Sequence, residues 1–141
     1  MAYDMVQEGL QWLLEVAFSE EQAVPANFYL GLSQSDVATL TETATLASIN
    51  EVTGTGYARQ TVASDNVDFT SAVAGTNDRK QTTKTVTFTA SASDWDDAES
   101  AFLATSSDGS GKLVAIVDLS ETRSLVNGDS LEVSMVIQIN G

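Results

Sequence analysis

The stretch Glu51-Val52-Thr53-Gly54-Thr55-Gly56-Tyr57-Ala58-Arg59-Gln60-Thr61-Val62 decides the reading of this chain. A glycine-rich turn runs directly into an alternating segment there. Gly54 and Gly56 permit backbone angles that a Cβ resists. Tyr57 and Arg59 lie two apart, so in a strand over Tyr57 to Ala63 they share one face and Ala58 takes the other. Arg59 is the first cation of the chain, since no Lys or Arg precedes it. Its guanidinium can fork onto a carboxylate and stack on Tyr57 or on an aromatic of a neighbouring strand. Two readings follow: a clamp within the chain between strand and acidic loop, or an intersubunit salt bridge.

Towards the C-terminus the pattern is β throughout. Val67 to Phe69 continues or returns the first strand, and Ala72 to Thr83 reads as a polar loop. Lys84 to Ala90 alternates, with Val86 and Phe88 on one side and Thr85, Thr87 and Thr89 on the other. Ser100 to Thr105 reads as a strand, followed by the turn Ser106-Ser107-Asp108-Gly109-Ser110-Gly111. Leu113 to Val117 is a continuous apolar run, as expected of a strand buried on both faces. Val126-Asn127-Gly128-Asp129 carries the Asn-Gly hairpin signal. Leu131, Val133, Met135, Ile137 and Ile139 place one apolar face on a last strand.

Towards the N-terminus, Phe28 to Leu32 is a short apolar strand behind a loop with the single proline, Pro25. Thr39-x-x-Glu42 has capping-box spacing, which predicts a short helix over Glu42 to Ser48. Residues 3–19 predict an amphipathic helix. Val6, Leu10, Leu13 and Ala17 form one row, and Met5, Gly9, Trp12 and Val16 form the adjacent one. Asp4 is placed to cap it. Such a helix covers its own core or inserts between subunits. Six to eight short strands with regular turns and no internal repeat predict one domain over residues 1–141: a mainly β, antiparallel β-sandwich, jelly-roll-like, with an N-terminal α-helix.

Composition excludes several functions. Twenty Asp and Glu face six Lys and Arg, for a net charge of −14. A basic face for nucleic acid is therefore absent, and anionic membrane surfaces are disfavoured. The acidity serves solubility or complements a basic partner. No apolar run approaches the ~18 residues of a membrane span. Cys and His are both absent, which removes thiol nucleophiles, thiolate metal sites and the commonest general base. No Ser–His triad is available, and Gly54-x-Gly56 is followed by neither Lys-Ser/Thr nor a helix, so it is no phosphate loop. The acidic run Asp94-Trp95-Asp96-Asp97-Ala98-Glu99 could offer oxygens to Ca²⁺, but its spacing matches no EF-hand. The plainer reading is a solvated acidic turn anchored by Trp95. No catalytic residue, cofactor or metal site is expected.

The order of these blocks resembles that of small virion structural proteins of tailed bacteriophages, labelled head-decoration or tail-fibre-like. The resemblance rests on the E-x-x-G-x-G-Y-A-R motif at Glu51 to Arg59 and on the helix from Met5 to Phe18. It extends through Tyr29-Leu30-Gly31-Leu32, Thr76-Asn77, Val86-Thr87-Phe88, Trp95, Lys112-Leu113 and Val126-x-Gly128-Asp129, most of the chain. The chain departs from the family where Phe-Pro and Trp-Gly give way to Phe88-Thr89 and Trp95-Asp96. The resemblance implies a non-enzymatic protein of the virion. Its expected partners are other virion proteins, the major capsid protein or tail proteins, with no nucleic acid and no membrane. It also implies a homo-oligomer, a trimer among decoration proteins. Arg59, Tyr57, Trp12, Val16 and Leu13 are the expected interface residues. A single compact unit without a fibre repeat leans towards a capsid decoration, or cement, protein. A tail or tail-fibre component is the alternative. A carbohydrate-binding module, with Trp95 and the tyrosines as stacking platforms, is the third reading.

Overall fold

The computed structural model describes residues 2–73, 75–76 and 78–139. Among the described residues ten strands form three sheets, and every ladder is antiparallel. The largest sheet has the order β1 (Ala2–Met5), β8 (Leu113–Arg123), β7 (Ala98–Ala104), β2 (Asn27–Ser33), β3 (Gln60–Ala63). Against it stand β10 (Val136–Ile139), β5 (Arg79–Thr83) and β4 (Phe69–Val73), and beside them the pair β6 (Val86–Thr89) and β9 (Ser130–Val133). The expected mainly β sandwich with a short N-terminal helix is what the chain forms.

The large sheet is buried on both faces. Phe28, Leu30 and Leu32 of β2 meet Val86, Phe88, Val133 and Met135 on one side, with Trp12 closing the end. On the other, Phe102 and Ala104 of β7 and Leu113 and Ile116 of β8 meet Val6, Val37, Ala44 and Leu46. This explains the unbroken apolar runs of the central strands, which have no solvent face to make polar. Gly31 sits opposite Phe102 in register, and a Cβ there would stand 2.4 Å from the Phe102 ring.

The helix is shorter than its periodicity suggests. Residues 2–5 pair with β8 instead, in the register Ala2↔Val117 and Met5↔Ala115. The α1 helix spans Gln7–Leu14, with Val6 at its N-cap position, and Asp4 lies in β1 instead. The open edge of β8 outcompetes the helical period, because the backbone groups of residues 2–5 find ladder partners there. Met5 and Val6 satisfy both patterns. A π-helical turn, Glu15–Ser19, follows α1 and ends at Glu20, whose φ is 57°.

Five further expectations are corrected. The loop assigned to Ala72 to Thr83 is in large part a hairpin, with Phe69↔Thr83 through Val73↔Arg79 paired; Asn77 of the Thr76-Asn77 pair lies outside the described residues. The short helix is a single turn, α2 (Val37–Leu40), capped by Asp36, whose carboxylate accepts the Thr39 N–H at 2.8 Å. The strand after the glycines begins at Gln60. The Asn127-Gly128 turn forms, with Gly128 at φ 103°, but it joins no hairpin: β9 pairs with β6 rather than β8. The last apolar strand is likewise divided between two sheets. Met135 lies fully buried at the break, exchanging hydrogen bonds with Thr83 through backbone and Oγ1. β1 and β10 come to lie side by side.

Candidate functional site

The glycine turn builds a polar corner at the end of the sandwich. Gly54 passes so close to Trp95 that a Cβ would stand 2.2 Å from its Cδ1. Gly56 has φ 84°, and the Tyr57 N–H donates back to the Gly54 carbonyl. Tyr57 thereby turns inwards, stacked on Phe88 at 6.2 Å and edge-on to Trp95 at 5.3 Å. Its hydroxyl donates to Glu51 Oε1 and accepts the Leu32 N–H, both at 2.9 Å. Burial, ahead of the nearby Glu51 charge, pushes this hydroxyl well above the ordinary tyrosine range.

Arg59 meets the same carboxylate. Nε donates to Glu51 Oε1 at 2.9 Å and Nη2 to Oε2 at 2.8 Å. Nη1 donates to the carbonyls of Ser106 and Asp108, and the guanidinium lies 5.1 Å over the Phe102 ring. Four of the five donors of a guanidinium are thus engaged within the chain, and the side chain is only 7% exposed. Burial works against its charge, but the hydrogen bonds and charge of Glu51 outweigh it and hold the group above its ordinary value. Tyr57 and Arg59 share a partner, but not as one strand face: the strand begins only at Gln60, and Tyr57 packs on Phe88 while Arg59 lies over Phe102. That partner, Glu51, heads the E-x-x-G-x-G-Y-A-R motif, but the sequence does not mark it as the carboxylate the two share. The signal was its place at the head of a glycine turn that folds the chain back on itself.

The acidic run serves neighbouring loops, one carboxylate at a time. Asp94 accepts from the Asn127 N–H, Asp97 from Ser124 Oγ, and Asp96 from both the N–H and the hydroxyl of Thr53. Those two bonds hold the Asp96 carboxyl below its ordinary value of 3.8. Trp95 is buried, its Nε1–H donating to the Thr55 carbonyl at 3.0 Å. Neither Trp95 nor Trp12, 7% and 6% exposed, offers a ring face to a sugar. Among the described residues no group of three or more acidic side chains is placed to hold a metal ion.

The other expected interface residues lie at the opposite end of the sandwich's interior. Trp12, Leu13 and Val16 form one wall of an open apolar groove of about 880 Å³, and Phe69 and Ile137 of the β4–β5–β10 sheet form the other. Trp12 is edge-on to Phe28 at 5.6 Å, and Phe28 to Phe69 at 5.5 Å. Arg79 and Lys80 stand at the mouth. Glu8 fixes the helix that makes this wall: its Oε2 accepts the Leu46 N–H at 2.9 Å and the Leu113 N–H at 2.7 Å. It ties α1 to two segments at once, and nothing in the local sequence marks it for that role.

The polar side chains at the glycine-turn end of the β-sandwich brace its own loops, and an apolar groove opens between α1 and the β4–β5–β10 sheet. Residues 9–137 match the model of the family described as podophage GP4 fiber I protein gp80. The chain belongs to this family, and so to the structural proteins of the phage virion. No curated protein matches it. A fibre protein of the virion works in contact with other virion components.

Proposed function

We propose that this chain is a non-enzymatic subunit of the podophage fibre, one compact unit that contributes rigid contact surface. The observation that carries the reading is the fibre-family match over residues 9–137, which runs from within α1 through β2 to β9 and into β10. The site chemistry supports it. Tyr57, Arg59, Glu51 and Asp96 satisfy one another or nearby backbone, so the groups that could act on a substrate are engaged in holding loops. With 20 acids to six cations, the surface suits a basic face of a neighbouring virion protein. A place on the capsid as a decoration protein is the competing reading.

Cryo-EM of virions with and without this gene product tests the proposal. Density lost from the fibre is the expected result. Density lost from symmetric positions on the head shell would overturn it in favour of decoration.

A further inference from the structure

Large apolar side chains left in water gather on the helix that walls the groove. Phe18 is 81% exposed, Leu14 53% and Leu10 40%. Spaced four apart, they form one row on the side of the helical segment turned away from Trp12 and Val16. The left-handed Glu20 ends that segment and leaves Phe18 near its tip, flanked by Glu20 and Glu21. The groove has the opposite character at its rim. Its lining is mostly apolar, and its charged residues are Arg79 and Lys80, two of only six cations, and the single acid Asp65. Neither forms an ion pair with a described residue.

We propose that the helix tip of one copy, Phe18 with Leu14, seats in the groove of a second copy. Glu20 and Glu21 of the first then pair with Arg79 and Lys80 of the second. A second copy is the occupant because the chain carries both halves of the contact: an apolar row with acidic flanks and an apolar groove where two cations, Arg79 and Lys80, outnumber the one acid, Asp65. A free acyl chain would fill the groove and leave the helix row in water. Tip and groove are different patches, so the interface is heterologous; its repetition closes a ring or extends a filament. The inference rests on the structural role proposed above but not on the subunit's position in the virion, and solution mass tests it apart from virion imaging.

Sedimentation equilibrium of the full chain is the experiment, with circular dichroism to verify the fold of each variant. The wild type is expected to associate. Phe18→Asp, at a position already exposed, is expected to weaken association by about 30-fold, the loss of one buried aromatic anchor. The pair R79E and K80E should do the same, and adding E20K and E21K to that chain should restore association. Mixing the Phe18→Asp protein with the R79E, K80E protein should give a 1:1 complex and nothing larger, since one complete junction remains. A wild type that stays monomeric, or a Phe18→Asp protein that associates like wild type, would overturn the proposal. So would a folded charge-swapped chain that stays dissociated, or a monomer that native mass spectrometry finds carrying a small apolar ligand.

Discussion

Replacing Gly9 by alanine sets two effects of opposite sign against each other. In an exposed helix the change gains about 1 kcal/mol. Here α1 lies with its backbone directly on β8, and the new Cβ would stand 2.2 Å from the Val114 carbonyl oxygen and 2.7 Å from its Cα. These are backbone atoms of a central strand, so no rotamer change relieves the overlap. Restoring a contact of 3.4 Å moves the helix outwards by about 1 Å. Such overpacking costs about 1–3 kcal/mol. The same shift stretches both hydrogen bonds accepted by Glu8, 2.7 and 2.9 Å long, each worth about 1.5–3 kcal/mol as a bond to a charged group. Partial loss of these leaves a net destabilisation of about 2–4 kcal/mol. At this chain length that lowers Tm by about 6–15 °C. Urea unfolding followed by tryptophan fluorescence measures it, since Trp12 is on the moving helix. Gly109→Ala is the control: a Cβ there meets nothing within 4 Å, and little change or a slight gain is expected. A Gly9→Ala protein as stable as wild type would refute the backbone-on-backbone packing.

Three other outcomes are expected. Glu51→Gln strands a guanidinium that is 7% exposed and should cost about 3 kcal/mol, whereas Glu51→Gln with Arg59→Met should cost less than the sum of the singles; additive values in urea unfolding would contradict a coupled pair. Asp36, Asp68, Asp96 and Asp108 all have carboxyl groups held below the ordinary 3.8. Their stabilisation is therefore present above that value and lost as pH falls through their lower folded values, and Asp96→Asn should shrink the acid-induced drop in Tm. For Tyr57 the folded value is raised, so its contribution is complete below about pH 10 and lost as pH rises further; ultraviolet titration of the folded protein should show a phenol resisting ionisation that Tyr57→Phe removes.

How much was legible in the sequence follows from how local each signal is. β6, with buried Val86 and Phe88 alternating with exposed Thr87 and Thr89, is written into its own four residues. The turn at Ser106 to Gly111 and the apolar runs of β7 and β8 are similarly self-declaring. β1 was not, because residues 2–5 fit a helical stripe equally well and only the free edge of β8 decides between them. Nor was the break at Met135: alternation continues through it, and the change of partner from β6 to β5 is a tertiary event. At the polar corner, Tyr57 and Arg59 do meet one carboxylate, but the strand face expected to align them starts only at Gln60. Glu51 was one acid among 20, and only the fold of the glycine turn selects it. The groove was illegible because its walls come from separated segments, and Leu14 and Phe18 stand outside both apolar rows of the helix, so the period gives them no role.

The adjacency of β1 and β10 has a mechanical meaning. These first and last strands lie side by side, so a pull applied through residues at the two ends of the described chain enters and leaves at one corner. Force would be carried by the short ladder of β1 on β8, in the register Ala2↔Val117 and Met5↔Ala115, and by that of β10 on β5. The interior packed around Phe88 and Phe102 lies off that load path. A subunit strung in this way can yield at its edge strands under tension while its sandwich stays assembled.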